Sequence, residues 1–218
     1  MLRNVARGVS GMKYIYVSWS ESIKLTIELA GKIISNNYLP NSIVAISRGG
    51  LIPARVLSDI INVDEVYSIK ASLWGVGGKI SDKVVIQEVE LPIKGKKVLI
   101  VDDVVDSGST LDTVVKRIKV FNPEEVRTAV LHIKPTSKYI PDYYVSRLES
   151  WAWIIYPWTI HEVIYSLMYK EYGCKLLHMS AEDIIKVFQE LTNVVTNDIT
   201  PSSINLAKEY YLKPLCKE

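Results

Sequence analysis

The run from Val98 to Thr110, VLIVDDVVDSGST, constrains this 218-residue chain more than any other stretch. Val98 to Val101 read as a buried strand, and that strand is predicted to end on two adjacent carboxylates, Asp102 and Asp103. Small polar residues follow, with Asp106, Ser107, Gly108, Ser109 and Thr110 close together. Leu111, Val114, Val115 and Ile118 then mark a helix by their spacing. A buried strand running into such a loop and a helix start is how α/β proteins cradle an anionic group. Backbone N–H groups of the loop and first helical turn converge on the anion, and the helix dipole favours it. Acids at a strand's carboxyl end sit in the crevice where open α/β sheets bind ligands, and there they could hold ribose hydroxyls or a hard cation. A single Asp in such a place would be an ordinary turn residue; three acids interleaved with Ser, Gly and Thr fit a sugar phosphate better. The run lacks the Gly-Lys-Ser/Thr of a P-loop and the three-glycine dinucleotide fingerprint, which argues against both of those nucleotide sites.

The rest of the chain supplies the frame for this loop. Strand patterns at residues 13–17, 42–47, 65–71, 84–89 and 126–133 alternate with helical ones at 19–35, 51–61 and 111–118. That alternation calls for an α/β fold with a mostly parallel sheet flanked by helices. In the first helix Ile23, Ile27, Ala30 and Ile34 are predicted to face the core, with Leu25, Leu29 and Ile33 widening the face. Three glycines between residues 74 and 83 predict a long hairpin or lid. Short strands are expected at 143–145 and 153–156. From about Thr159 glycine nearly vanishes and three helical patterns follow, at 161–172, 181–191 and 202–212. The expected organisation is therefore a loose tail over residues 1–11, a core with a small hood over 12–158, and a helical C-terminal appendage over 159–218.

Composition narrows the partners. A formal net charge of +2 gives no electrostatic footprint for nucleic acid or a membrane surface, and no stretch has the uninterrupted apolar length of a membrane span. The first residues lack the apolar segment of a secretory signal. Cys174 and Cys216 lie far apart without metal-ligand spacing, so they are expected to be free buried thiols in a cytoplasmic protein.

Three patches together resemble the type I phosphoribosyltransferases. VLIVDDVVDSGST resembles that family's signature for phosphoribosyl diphosphate (PRPP). By that resemblance Asp102 and Asp103 grip the ribose hydroxyls, Asp103 helps bind Mg²⁺, residues 107–110 wrap the 5′-phosphate, and Asp106 lies near N7 of a purine as general base or acid. Ser47-Arg48-Gly49-Gly50, after a strand, resembles the family's diphosphate loop, which often contains a non-proline cis peptide; Arg48 and Gly49 would contact PRPP there. Lys134-Pro135 resembles the xanthine–guanine branch, in which the lysine donates to O6 of a 6-oxopurine. That branch continues with an Asp-Tyr-aliphatic strand and a Trp-aliphatic-x-x-Pro-Trp run, matched here by Asp142-Tyr143-Tyr144-Val145 and by residues 153–158. The match implies that Trp153 stacks on the purine and that the backbone of Ile154 meets its hydrogen-bonding edge, while Trp151 and Trp158 are read as core packing. The chain departs from the pattern at Thr159, where relatives often carry an acid, and in its longer helical tail.

The resemblance implies a Mg²⁺-dependent purine phosphoribosyltransferase of purine salvage. It would turn a purine base and PRPP into a nucleoside 5′-monophosphate and diphosphate, favour 6-oxopurines over adenine, and act as a homodimer or homotetramer. A regulatory protein that senses PRPP or a nucleotide on the same fold is the alternative from another class. A pyrimidine or orotate enzyme fits the Lys-Pro and Trp-Ile patterns less well.

Overall fold

The computed structural model describes all residues except 1–4, 8–11, 73, 76–77, 80–83 and 217–218. In chain order the elements are β1 (Val5–Arg7), β2 (Lys13–Tyr16), α1 (Trp19–Ser35), β3 (Ser42–Ser47), α2 (Leu51–Ile60), β4 (Glu65–Ser72), β5 (Trp74–Gly75), β6 (Gly78–Lys79) and β7 (Val85–Ile86). Then come β8 (Lys97–Val105), α3 (Ser109–Lys119), β9 (Glu125–Ile133), β10 (Tyr143–Arg147), β11 (Trp153–Ile155), α4 (Ile160–Tyr172), a 3-10 helix at Gly173–His178, α5 (Ala181–Thr192) and α6 (Pro201–Leu212). The chain divides into two units. A sheet unit holds residues 20–73 and 80–151; a helical unit holds 1–19, 74–79 and 152–218.

The sheet unit is built on six strands in the order β10-β9-β8-β3-β4-β7, all parallel except β7, which runs antiparallel to β4. The inner strands are apolar through both faces, as a sheet covered by helices requires: residues 43–46 and 98–101 are all buried. α3 buries Leu111, Val114, Val115 and Ile118 into a core shared with Val44, Ile100 and Val130. The buried face of α1 differs from the expected one. Ser22, Thr26, Leu29, Ala30 and Ile33 point inward, while Ile23, Ile27 and Ile34 are exposed. Thr26 satisfies its hydroxyl on the Ser22 carbonyl at 2.8 Å, which lets a polar side chain sit on the buried face. The returning strand expected over 84–89 shortens to Val85–Ile86.

The helical unit joins segments that the sequence reading divides between a tail, a core and an appendage. Val5–Arg7, expected to be loose, pairs antiparallel with β2 and covers an edge that would otherwise stay open. On the other side of β2, β11 pairs in parallel, with Trp153 opposite Tyr14 and Ile155 opposite Tyr16. Helices α4 to α6 pack with this sheet in one core that includes Tyr14, Ile155, Ile164, Phe188 and Ile204. The helix starts follow their sequence signals. The Ser180 hydroxyl accepts from the Asp183 N–H at 3.0 Å, and Thr200 with Ser203 forms a capping box ahead of Pro201. Two features depart from expectation. A 3-10 helix separates α4 from α5, and Cys174 on it forms a disulfide with Cys216 rather than remaining a free thiol. The fold brings these residues to a Cα–Cα distance of 5.6 Å across 42 positions of sequence, a proximity that spacing alone does not reveal.

The predicted lid lies largely outside the described residues. Its described parts, Trp74–Gly75 and Gly78–Lys79, pair antiparallel.

Candidate active site

β8 does not end on its acids, as expected, but runs through them to Val105. On one side it stays paired with β9 as far as Val105 opposite Ile133. On the other side its pairing with β3 stops at Ala45 opposite Val101. β3 itself runs on to Ser47, paired with β4, so Asp102 and Asp103 lie past the end of its ladder with β8 and next to the turn that follows, where the Ser47–Arg48 peptide is cis. A Cβ built on Gly49 would overlap the Asp103 carboxylate, and one on Gly50 would overlap the Val101 carbonyl oxygen, so Gly50 is where close backbone approach requires glycine. The diphosphate-loop candidate and the acid pair thus lie against each other. Arg48 is exposed beside them, and Asp103 is only 7% exposed. Although part of Asp102 reaches solvent, burial of its carboxyl and then the neighbouring Asp103 charge push it well above the usual carboxylate range; the hydrogen bond from the Asp103 N–H opposes the shift.

The loop after β8 has the form of an anion cradle. Gly108 caps α3 at φ +88°, in the left-handed region that favours glycine, and no side chain caps the helix. A Cβ there would also come within 2.8 Å of the Tyr139 backbone nitrogen. Ser107 and Ser109 are exposed, with their hydroxyls 3.1 Å apart, and Thr110 is half-buried in the first turn.

Asp106 is held on both sides. One carboxylate oxygen accepts from the Lys134 ammonium at 2.9 Å, and the other accepts from the Thr136 hydroxyl at 2.8 Å. Lys134 is buried at 7% exposure and lies 4.4 Å above the Trp151 ring. Trp151 therefore belongs beside the site rather than to core packing alone, as the sequence reading had it. The segment after β9 braces the loop again where the Lys138 N–H donates to the Ser107 carbonyl at 3.1 Å. Sequence reasoning missed Thr136 and Tyr139. Their only signal was proximity to Lys134-Pro135, because contact between two loops 30 residues apart is set by the β8–β9 register.

In the helical unit, Trp153 and Ile154 lie on β11. Ile154 is buried at 6% exposure and Trp153 is half-buried. Trp158 stacks on Tyr156 with ring centroids 4.7 Å apart, a packing role in line with its sequence reading.

Residues 15–162 match the model of the phosphoribosyl transferase domain. The chain belongs to the phosphoribosyltransferase family. It is 30% identical to a xanthine-guanine phosphoribosyltransferase of Idiomarina loihiensis over 67% of this chain and 87% of that one. A protein of the same description from Cereibacter sphaeroides is 32% identical, over 68% of this chain and 88% of the relative. Among solved structures, a purine phosphoribosyltransferase from Pyrococcus horikoshii superposes with a TM-score of 0.57 at 36% identity, covering 66% of this chain and 93% of that one. A xanthine-guanine-hypoxanthine phosphoribosyltransferase of Helicobacter pylori gives 0.59 at 26% identity, over 67% and 94%. The sheet described above is thus the type I phosphoribosyltransferase fold.

Proposed function

We propose that this protein is a purine phosphoribosyltransferase of purine salvage, joining a purine base to PRPP to give a nucleoside 5′-monophosphate and diphosphate. The observation that carries the reading is the meeting of two loops on one acid pair: Gly49 packed on Asp103, beside a strand that leads into the Asp106–Thr110 cradle. In the reaction a purine nitrogen forms a bond to ribose C1 as the bond from C1 to the diphosphate oxygen breaks. The transition state resembles a ribosyl oxocarbenium ion, so positioning and charge stabilisation do most of the work. Arg48 and the Gly49 backbone hold the leaving diphosphate, Asp102 and Asp103 fix the ribose hydroxyls, and residues 107–110 anchor the 5′-phosphate. Asp106 accepts the proton that the purine loses.

The donor set suits Mg²⁺, a hard cation that takes one or two carboxylates plus substrate phosphates; Asp103 is the residue assigned to it. Bound there, the ion would neutralise charge on the diphosphate. Lys134 has three N–H donors and spends one on Asp106, which leaves donors for the O6 carbonyl of guanine, hypoxanthine or xanthine. An adenine amino group offers that ammonium no comparable acceptor, and 6-oxopurines are the favoured bases. Trp153 stacks on the ring and the Ile154 backbone reads its edge.

A PRPP sensor without catalysis is not favoured, since the names of the relatives are those of enzymes and both Asp106 and Lys134 are in place. The protein is assigned to the cytoplasm as a homodimer or homotetramer. Exposed Ile23, Ile27 and Ile34 on α1 support the assembly, which sedimentation measures directly.

Competition among guanine, hypoxanthine, xanthine and adenine for PRPP, read as diphosphate release, tests the activity and the base together. Release with a 6-oxopurine is the expected result. Binding of PRPP with no release from any base rejects the catalytic reading, and release with adenine alone rejects the role given to Lys134.

A further inference from the structure

Most of the helical segment lies beyond residue 162, where the family match ends, and nothing in the reaction uses it. Its packing gives it a role. Tyr14, Tyr16 and Ile155, from the β2–β11 pair, are buried in the same core as Ile164, Phe188 and Ile204 of the helices, and Trp153 packs against that core. The strand that bears the assigned base-recognition residues is therefore backed by α4 to α6.

One polar contact pins the two layers together. The Tyr16 hydroxyl donates to the Asp198 carboxylate, and its oxygen lies 2.8 Å from the Thr196 hydroxyl, which donates in turn. Both partners sit in the link between α5 and α6, and the Asp198 N–H donates to the Thr196 oxygen at 3.0 Å, which folds that link onto itself. Burial, and then the hydrogen bond to Asp198, push the Tyr16 hydroxyl up to about 12, so it remains a donor throughout the neutral range. Tyr16 stands opposite Ile155, one residue beyond Ile154, and the Val17 N–H donates to the Ile155 carbonyl at 3.0 Å. A shift at Tyr16 is thus passed directly to β11.

We propose that the α5–α6 link latches the purine-binding strand, with Tyr16, Thr196 and Asp198 as positioning residues for base recognition. This rests on the reading of Trp153 and Ile154 as the residues that meet the base. A strand held at one height against its backing presents its ring and its backbone edge in one geometry; a strand free to slide presents them in several, and the base binds less well.

Steady-state kinetics with separate purine and PRPP titrations test it. Tyr16→Phe and Asp198→Ala should each raise the purine KM about tenfold or more, the worth of one hydrogen bond to a charged acceptor, with the PRPP KM within about twofold of the parent. Asp198→Asn keeps an acceptor oxygen and should stay near the parent value. Trp153→Ala, made in parallel, should raise the purine KM on its own account. An unchanged purine KM in Tyr16→Phe and Asp198→Ala, with Trp153→Ala impaired, overturns the latch and leaves the base-strand reading standing. An equal rise in both KM values overturns it too, because the loss is then general. If Trp153→Ala leaves the purine KM unchanged, the base-strand reading fails and takes the latch with it. Should Asp198→Ala not accumulate as folded protein, Tyr16→Phe, which removes one oxygen from a half-polar contact, carries the test alone.

Discussion

The two units of this protein use sequence in opposite ways. In the sheet unit, chemistry is concentrated in short runs at strand ends: Arg48-Gly49 after β3, Asp102 to Thr110 along and after β8, and Lys134 to Thr136 after β9. Each run is local, and the parallel sheet brings all three to one edge. In the helical unit, common apolar residues make a core from segments up to 200 positions apart on the chain, and only scattered polar contacts carry specificity. A site read from motifs is therefore legible where backbone loops do the binding. It is hidden where ordinary side chains do the holding.

If that contrast is sound, the two units should fail differently. The largest effect is expected from Asp106→Asn, which keeps the shape and removes the proton acceptor. Turnover should fall at least about 100-fold with the PRPP KM little changed, as separate kcat and KM measurements would report. Equal losses in both parameters would place Asp106 in substrate binding instead.

The next effect belongs to the helical unit and should touch stability alone. Replacing Cys174 and Cys216 by Ser releases a 42-residue closure and should cost about 3 to 4 kcal/mol in chemical denaturation, with KM values intact at temperatures where the variant is folded. Loss of base affinity in a fully folded variant would show that the disulfide, like the α5–α6 link, also holds β11 in place.

A third test returns to the sheet unit, through its interior rather than its edge. Burial lowers His132 to about 4, so the folded protein holds it neutral while the unfolded chain protonates it near its ordinary value of 6.5. The unfolded state then binds more protons between those values. Stability is complete above pH 6.5 and falls by about 3 kcal/mol as the pH drops toward 4. Urea midpoints measured across that interval should decline, and the slope should flatten in His132→Asn. The smallest effect is at Thr136→Val, which removes one of the two groups that hold Asp106. A kcat loss of about five- to tenfold is expected, recovered in Thr136→Ser, which keeps the hydroxyl.

How far each reading reached follows from the range of the interactions involved. β3, α2, β9 and the three C-terminal helices lie within two residues of their predicted bounds, because apolar period and caps are local signals. The inward face of α1 was misjudged in part: Leu29, Ala30 and Ile33 turn inward as read, but Ile23, Ile27 and Ile34 are exposed and Ser22 and Thr26 complete the buried face. The end of β8 was misjudged as well, because acids look like a strand terminus until a neighbouring strand is known to continue beside them. Trp151 was assigned to packing because nothing local shows that Lys134 lies over its ring.

The sequence by itself determined the α/β frame, the acid-and-cradle run and the family, since each is written in contiguous residues whose backbone geometry does the work. Only the tertiary structure decided that β2 and β11 share a core with the C-terminal helices, that Cys174 meets Cys216, and that Tyr16 reaches Asp198. Those contacts join residues with no local pattern in common. They arise from strand register and from the burial of apolar surface, which is non-directional and leaves no motif behind.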